Sequence, residues 1–387
     1  MNRKCAYKMI EALLAKYAHL PRQKSAGWYA DRETSIGGSE LSIILGVNKH
    51  KKFYMFVYEK VGIIEEPDSD NPNFLWGNLF ENVHGYILTH IFSIKIEDFG
   101  SIPWRDEKSG FRVSPDGFFA ASLRQMLSGP AIDNRADFLA QLPANTDLDI
   151  PRVFVLELKS PARRKIDKSS IPETYQPQVF AELCIDDCVE YALFSECLFK
   201  RCSYADYENT EHSTASFVAV GGDRVDSLPL YMGIIHFYAP TENAELIDYL
   251  HDRYSAYTTH SLIDVGAIPN HDLFFEFVSK IKHGAMRCKY TLCGSDSESY
   301  DNDNLPIDPS AYICIGMMPW KAYNLSYHLV HKDPNYISAR YPLIKKAVDC
   351  IAESRTMLAA GDPSESVIAF ILDCEQELKL LKKSLKL

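Results

Sequence analysis

The most informative stretch for the fold of this chain is Val153-Phe154-Val155-Leu156-Glu157-Leu158-Lys159. In it, a run of apolar residues leads directly into a glutamate and a lysine. The run is typical of a buried β-strand, on which residues two apart lie on the same face. Glu157 and Lys159 are therefore predicted to share one face, while Leu158 points into the core. A buried carboxylate and a buried lysine are costly unless they are paired or have a chemical use.

A second strand is predicted over residues 111–114, and its residues 111–113 lead into Ser114-Pro115-Asp116-Gly117. An aspartate from this strand, beside a glutamate and a lysine from a neighbouring strand, would form a site for a hard divalent cation. Each segment alone is weak evidence, since Asp-Gly is common in turns and Glu-x-Lys is common on exposed strands. The apolar run before Glu157 indicates a buried strand, which favours a cation site over an exposed strand face.

The pattern suits metal-dependent hydrolysis of a phosphodiester, in which water attacks phosphorus and negative charge develops. Asp116 and Glu157 can supply carboxylate ligands to Mg²⁺, and the backbone carbonyl of Leu158 can supply a third oxygen. Glu81, on a helix predicted over residues 74–91, could complete the shell or hold a second ion. Lys159 would orient the attacking hydroxide and offset charge at the phosphoryl oxygen.

A helix predicted over residues 173–184 adds two polar candidates, Tyr175 and Gln178, which share a face because they are three residues apart. A glutamine in this place can bind the nucleophilic water or a phosphate oxygen without adding charge. Taken alone, the pair is more typical of the exposed face of an amphipathic helix.

Composition limits the class of protein. The 387 residues carry a net charge of −11, which argues against a non-specific nucleic-acid coat protein. A local basic patch, Arg163, Arg164 and Lys165, is a candidate phosphate-contacting surface, and such a run fits a solvated loop equally well. No apolar run reaches the length of a membrane span. The ten cysteines are interpreted as reduced thiols of an intracellular compartment, cytoplasm or nucleus.

Alternating strand and helix patterns predict a mixed α/β sheet. The predicted strands cover residues 92–96, 111–114, 153–158, 191–197, 216–220 and 231–238, and the predicted helices cover residues 5–20, 74–91, 173–184, 341–354 and 364–383. An insertion of about residues 121–149, which includes Gly129-Pro130, is too long for a hairpin loop. We expect a core over residues 1–260 and a mostly helical extension of unknown role over residues 261–387.

Taken in order, these segments resemble the YqaJ-like viral recombinase family, the lambda-type 5′→3′ exonucleases of the PD-(D/E)xK nuclease superfamily. The resemblance implies a restriction-endonuclease-like mixed central sheet flanked by helices. The insertion and the C-terminal region depart from the compact phage enzymes, and Pro319-Trp320-Lys321 looks similar to homologues from large DNA viruses. Five matches over about residues 25–200 carry the resemblance: Ile36-Gly37-Gly38-Ser39-Glu40-Leu41-Ser42-Ile43-Ile44-Leu45-Gly46, Trp76-Gly77-Asn78-Leu79-Phe80-Glu81, Ser114-Pro115-Asp116-Gly117, Leu156-Glu157-Leu158-Lys159 and Tyr175-Gln176-Pro177-Gln178.

The resemblance implies the same catalytic and metal-binding roles that the residue pattern suggested above. It implies Asp116 and Glu157 as metal ligands and Lys159 as the catalytic lysine. The family's helical glutamate is matched by Glu81, and the motif after its catalytic strand is matched by Tyr175 and Gln178.

The resemblance also implies a pocket for a 5′ phosphate. In such exonucleases an arginine seven residues before the signature serine binds the phosphate together with that serine, and Arg32 lies seven residues before Ser39. Ser39 is predicted to begin a helix, where backbone amides and the helix dipole favour an anion. Ser114 is a weaker candidate for the same pocket.

The resemblance therefore implies an Mg²⁺-dependent 5′→3′ exonuclease, for which Mn²⁺ would substitute. It would act on the ends of duplex DNA and leave 3′ single-stranded tails for recombination, replication or repair, with a single-strand annealing protein as a candidate partner. One alternative is a structure-specific or nicking endonuclease with the same core. Another is a non-catalytic DNA-end-binding scaffold. The sequence leaves the oligomeric state open.

Overall fold

The structure, a computed structural model, describes residues 3–23, 25–65, 70–128, 132–209, 217–218, 224–225, 231–258, 262–292, 298–300 and 306–386. Its helices are α1 Arg3–Tyr17, α2 Ala26–Thr34, α3 Leu41–Ile44, α4 Phe53–Lys60, α5 Pro72–Phe92, α6 Leu123–Ser128, α7 Arg135–Gln141, α8 Gln176–Leu183, α9 Tyr204–Glu208, α10 Ala244–Tyr254, α11 His271–Lys282, α12 Tyr336–Ala360 and α13 Ser364–Ser384.

The strands form one large sheet and smaller ones. They are β1 Ile36–Gly37, β2 Ile102–Pro103, β3 Phe111–Val113, β4 Gly117–Ser122, β5 Pro151–Lys159, β6 Val189–Arg201, β7 Phe217–Val218, β8 Arg224–Val225, β9 Tyr231–Pro240, β10 Ile263–Asp264, β11 Arg287–Leu292, β12 Glu298–Tyr300 and β13 Tyr312–His331. The large sheet runs in the order β12-β11-β9-β13-β6-β5-β4, and β10 pairs with β13 outside this path. A separate sheet has the order β1-β3-β2.

The large sheet is mixed, as predicted, because β5 pairs in parallel with β6 and antiparallel with β4. Its two faces belong to different apolar clusters. Leu156 and Leu158 pack on the face covered by α5, whereas Val153 and Val155 pack on the face covered by α8, α12 and α13. Alternation along β5 therefore places Glu157 on the second face, with Val153 and Val155.

The long helix α5 confirms the apolar periodicity of residues 74–91. It begins at Pro72, a favourable first helical residue, after the cap Asn71. It ends at Ser93, whose left-handed backbone (φ 50°) stops the helix. The strand predicted over residues 92–96 is therefore wrong, because Phe92 still belongs to the helix, and only Glu97 makes an isolated bridge to Phe118.

The C-terminal region is mostly helical, as expected, but it is not an extension outside the sheet. Residues 336–384 do form the helices α12 and α13, but β13 lies inside the sheet between β6 and β9. Its Trp320 is fully buried and contacts Phe199 of β6, with 5.6 Å between the ring centroids. The sheet thus crosses the expected division at residue 260. Long strands are hard to recognise from sequence when a proline such as Pro319 interrupts the pattern.

The insertion contains α6 and α7, so that it carries helices of its own as expected. Gly129 and Pro130 lie outside the described residues, as does most of the strand predicted over residues 216–220, of which 217–218 are described as β7. None of the described helices is both long enough and apolar enough to cross a bilayer.

Tight packing around β9 can be tested with two glycines. A β-carbon at Gly233 would lie 1.9 Å from the Thr291 carbonyl oxygen and 2.6 Å from the Trp320 ring, whereas one at Gly77 of α5 would meet nothing within 4 Å. We expect Gly233→Ala to lower the free energy of unfolding by about 1–3 kcal/mol. Gly77→Ala should raise it by about 0.5–1 kcal/mol, because alanine favours a helix. Urea denaturation measures both, and a neutral Gly233→Ala would contradict the close approach of β9, β11 and β13.

Candidate active site

The ladder between β4 and β5 ends at the pair Gly117 and Leu156, and β5 continues beyond it. The backbone N–H of Leu158, which has passed the end of β4, donates to Asp116 Oδ2 at 2.6 Å. The N–H of Asp116 in turn donates to the Leu156 carbonyl at 3.0 Å. Asp116 is thus fixed against the strand that carries Glu157 and Lys159, so that the structure brings the three predicted residues together.

Glycine is required directly after Asp116. Gly117 has a φ of 157°, and a β-carbon there would lie 2.4 Å from the Ile96 side chain. The neighbouring backbone of Glu97 exchanges two hydrogen bonds with Phe118, at 2.8 and 2.9 Å. The Asp-Gly pair therefore marks a close approach of two chain segments as well as the position of a predicted metal ligand.

Carboxylates dominate the electrostatics where the ladder between β4 and β5 ends. Burial raises the pKa of Asp116 well above its ordinary value, and the charges of Glu157 and Glu81 raise it further. Glu157 is 1% exposed and is paired with Lys159, which is itself partly buried. Burial alone would lower the pKa of Lys159, but Glu157 and Asp116 outweigh it and raise that pKa, so that the side chain stays an ammonium.

The residues present fit a divalent cation. Glu157 Oε2 is buried and finds no hydrogen-bond partner among the described residues, and the pKa of Asp116 is raised by burial first and by the neighbouring charges of Glu157 and Glu81 as well. A cation would relieve both. Across the described residues, no three His, Cys, Asp or Glu side chains already converge on one point. Glu157 is directed to Lys159, and Asp116 is directed to the Leu158 amide.

The aromatic ring of Tyr175 lies between two cations. Lys159 Nζ is 5.2 Å from the ring centroid, and the Arg164 guanidinium carbon is 5.5 Å from it. Arg164 is also paired with Glu196, a fully buried carboxylate on β6. Arg164 thus packs within the site, against Tyr175 and Glu196. Arg163 and Lys165, in contrast, are exposed to solvent.

Gln178 is buried, and its amide nitrogen donates to Glu182 Oε1 at 2.9 Å. Glu182 is fully buried, and its other oxygen has no hydrogen-bond partner among the described residues. Burial raises the pKa of Glu182 well above its ordinary value, and the nearby charges of Glu157 and Asp116 add to the effect. Sequence reasoning missed this fourth carboxylate, although its position one helical turn after Gln178 was a usable signal.

A polar cavity of about 50 Å³ is lined by Gln178, the residue that donates to Glu182. The predicted phosphate residues Arg32, Ser39 and Ser114 all lie in its wall, together with Ser35, Gly37, Gly38, Ser101 and Arg112. A cavity of this size has room for at least one water molecule.

Trp28 organises two residues of this cavity. Its ring lies under Arg32, whose guanidinium carbon is 4.7 Å from the ring centroid. Its indole N–H donates to Ser114 Oγ at 3.1 Å. One aromatic side chain thus fixes both Arg32 and Ser114, which belong to separate segments of the chain. Trp28 itself is placed by the start of α2, where its backbone N–H donates to the cap Ser25.

Arg112 is a cavity residue that sequence reasoning missed. Its side chain is almost fully buried, pairs with Asp31 at 2.9 Å and donates to the Ser101 carbonyl at 2.6 Å. It lies two residues before Ser114 and four before Asp116. The alternation of these polar residues was the signal that could have revealed it.

The prediction that Ser39 begins a helix is wrong in detail. The cap is Gly37, which precedes a 3₁₀ turn over Gly38–Glu40, and Ser39 lies inside that turn. The following helix, α3, has only four residues. Any anion in the cavity therefore relies on side chains and local amides rather than on a long helix dipole.

His84, on α5, is buried without charge. Its Nε2 lies 2.8 Å from Ser195 Oγ, and its Nδ1 lies 3.4 Å from Ser160 Oγ. Burial lowers the pKa of His84 from 6.5 to about 3. The folded state therefore resists protonation, so that stability is kept above pH 6.5 and is lost as the pH falls toward 3.

This shift predicts an acid sensitivity that depends on one residue. Because the unfolded histidine takes up a proton below pH 6.5, we expect His84 to cost about 2 kcal/mol of stability between pH 7.5 and pH 5. Urea denaturation at both pH values should show this loss, and His84→Gln should lose correspondingly less. Equal losses in the two proteins would contradict a neutral, buried His84.

Comparison with known proteins confirms the resemblance seen in the motifs. Residues 27–189 match the YqaJ-like viral recombinase domain. A protein of African swine fever virus (isolate Tick/Malawi/Lil 20-1/1983) is 26% identical over 365 residues, which cover 92% of this chain and 93% of the relative. The uncharacterized protein YqaJ of Bacillus subtilis (strain 168) is 26% identical over 149 residues, which cover 38% of this chain and 43% of the relative. The crystal structure of an alkaline exonuclease from Laribacter hongkongensis aligns with a TM-score of 0.31 and 15% identity, over 45% of this chain and 74% of that one.

Proposed function

We propose, on the premise that residues 27–189 form a YqaJ-like viral recombinase domain, that the protein is a metal-dependent 5′→3′ exonuclease that acts on the ends of duplex DNA. The observation that carries the proposal is the junction of β4 and β5. There Asp116, Glu157 and Lys159 are held together, with the Pro-Asp and Glu-x-Lys spacing of the PD-(D/E)xK nuclease fold.

Asp116 and Glu157 would hold a divalent cation, Mg²⁺ in our proposal, with the Leu158 carbonyl and Glu81 completing the set. When bound, the cation would acidify the attacking water and neutralise charge on the phosphate. Lys159 would stay protonated, so that it orients the nucleophile and offsets negative charge at the phosphoryl oxygen rather than accepting a proton. Tyr175 would keep the ammonium directed toward the carboxylates by contact with its ring.

The cavity beside the carboxylates would receive the 5′ phosphate. Arg32 provides charge, and the hydroxyls of Ser39 and Ser114 provide hydrogen bonds. Gln178 lines this cavity and also bonds Glu182 near the metal ligands, so that it would couple binding of the end to placement of the scissile bond. Occupation of the cavity by a terminal phosphate favours digestion from an end, which leaves a 3′ tail for an annealing partner.

Arg163 and Lys165 would contact the backbone of the duplex. Both are exposed on the loop that follows β5, and phosphate contacts of this kind are independent of base sequence. Arg164 would contribute less directly, because it is paired with Glu196.

The catalytic part of the proposal predicts a strict dependence on metal and on Lys159. With Mg²⁺, the protein should degrade linear duplex DNA that carries 5′ phosphates and leave a covalently closed circle intact. Lys159→Ala should lower kcat by about 100-fold or more, because charge at the phosphoryl oxygen is no longer offset. Excess chelator should abolish activity, and Mn²⁺ should restore it.

The matched control is Lys345→Ala, which removes an exposed lysine on α12 that pairs only with its helical neighbour Asp349 among the described residues. Release of nucleotides from radiolabelled DNA measures each variant. Cutting of the closed circle would replace the exonuclease by an endonuclease. End binding without release of any nucleotide would favour a scaffold.

The phosphate cavity predicts a preference among ends. Arg32→Ala should lower kcat/KM for duplexes with 5′ phosphates by about tenfold, since a charge-assisted hydrogen bond is lost. Trp28→Phe should have a smaller effect, because it keeps the ring under Arg32 but removes the hydrogen bond to Ser114. The measurement is kcat/KM on phosphorylated and hydroxyl-ended duplexes. Equal losses on both ends would refute the end pocket while leaving the nuclease assignment intact.

A further inference from the structure

The charge of Arg32, which lines the cavity, is opposed by a carboxylate just behind the cavity wall. Glu40 Oε1 lies 4.0 Å from Arg32 Nη2, at the limit of an ion pair. The other oxygen of Glu40 accepts the backbone N–H of Gly37 at 2.7 Å, which fixes the carboxylate beside the cavity. Left unneutralised, Glu40 would compete with an incoming phosphate for Arg32 and repel it.

Lys60, the last residue of α4, lies on the other side of Glu40. Its Nζ is 3.0 Å from the same Glu40 Oε1, and its side chain is only 8% exposed. It also donates to the backbone carbonyls of Arg32 at 2.7 Å and Ser35 at 3.3 Å. These three acceptors match the three N–H donors of a lysine ammonium, so that every hydrogen-bond donor of the Lys60 side chain has a partner.

The second arginine of the cavity is balanced in a different way. Arg112 is paired with Asp31 at 2.9 Å, so that its charge is already matched by a carboxylate. With Lys60 matched to Glu40 and Arg112 matched to Asp31, one positive charge is left over, and it resides at Arg32. The guanidinium of Arg32 stacks on Trp28 and is partly exposed, as an anion-binding group must be.

We propose that Lys60 is a positioning residue that neutralises Glu40 and thereby reserves the charge of Arg32 for the terminal phosphate. The same ammonium fixes the backbone of Arg32, so that charge and position are set together. This inference rests on the proposed function, and it assigns a specificity role to a residue outside the motifs that revealed the site.

The C-terminal region supports this arrangement. Arg355 of α12 donates to the Lys60 carbonyl at 2.7 Å and to the Glu33 carbonyl at 2.6 Å. A guanidinium at the ends of two helices, α2 and α4, also matches their dipoles. The C-terminal region thus fixes the ends of α2 and α4, which carry Arg32 and Lys60.

A double-mutant cycle that removes the two charges tests the proposal. The variants are Lys60→Met, Glu40→Gln and their combination, with Lys345→Met as the control, and the readout is the ratio of kcat/KM on duplexes with 5′-phosphate and 5′-hydroxyl ends. Lys60→Met should lower this ratio about tenfold through KM, because Glu40 is left charged beside Arg32. Glu40→Gln alone should raise the ratio, because the amide keeps the Gly37 hydrogen bond and removes the competing charge. The double variant should recover part of the lost ratio, because the competing charge is gone while the bonds from Lys60 to the backbone of Arg32 and Ser35 stay absent.

A purely structural role for Lys60 would not be rescued by Glu40→Gln, so that failure of the rescue overturns the proposal. An equal loss on both kinds of end would also overturn it. If Lys60→Met does not fold, Lys60→Arg, which should keep the ratio, and Glu40→Gln, which should raise it, still decide the matter. A wild-type protein that ignores the 5′ group would instead refute the end pocket of the proposed function, and absence of any cleavage would refute the nuclease.

Discussion

Burial of several carboxylates around one ammonium group is the constraint on which this structure depends. Asp116, Glu157 and Glu182 are in electrostatic contact with each other, and Lys159 is the cation paired with Glu157. Such a cluster opposes folding, since each charge loses its hydration. It persists because an extensive apolar sheet holds it in place. The apolar residues on both faces of β5 supply that rigidity.

The strand segment from Arg112 to Asp116 connects the two halves of the site. Arg112 joins β3 to α2 through Asp31, Ser114 is held by Trp28 of the same helix, and Asp116 contacts β5. Because these residues alternate along five positions, a small shift of this segment would move the cavity and the carboxylates together. The distance between the polar cavity and the carboxylates is therefore set by one short stretch of backbone, with Gln178 as a second connection.

Much of the core was predictable because the signals were local. The buried run of β5, the periodicity of α5 and the Asp-Gly pair each follow from spacing alone, and motif order linked them to a family. Partners distant in sequence were not predictable. Neither Lys60 nor Arg355 belongs to a motif, and their importance arises only when α4, α2 and α12 meet. Similarly, nothing in the pattern of residues 312–331 indicates that β13 would pair with both β6 and β9.

The place of β13 has a consequence for biosynthesis. In the described sheet it follows every other strand along the chain, yet it occupies the interior of the sheet. The ribosome makes the chain from the N-terminus. Until β13 has been made, β6 and β9 each keep an unpaired edge. Unpaired strand edges invite association between nascent chains, and pairings of long sequence separation form slowly. Nascent copies of this protein should therefore depend on chaperones until the last strand emerges.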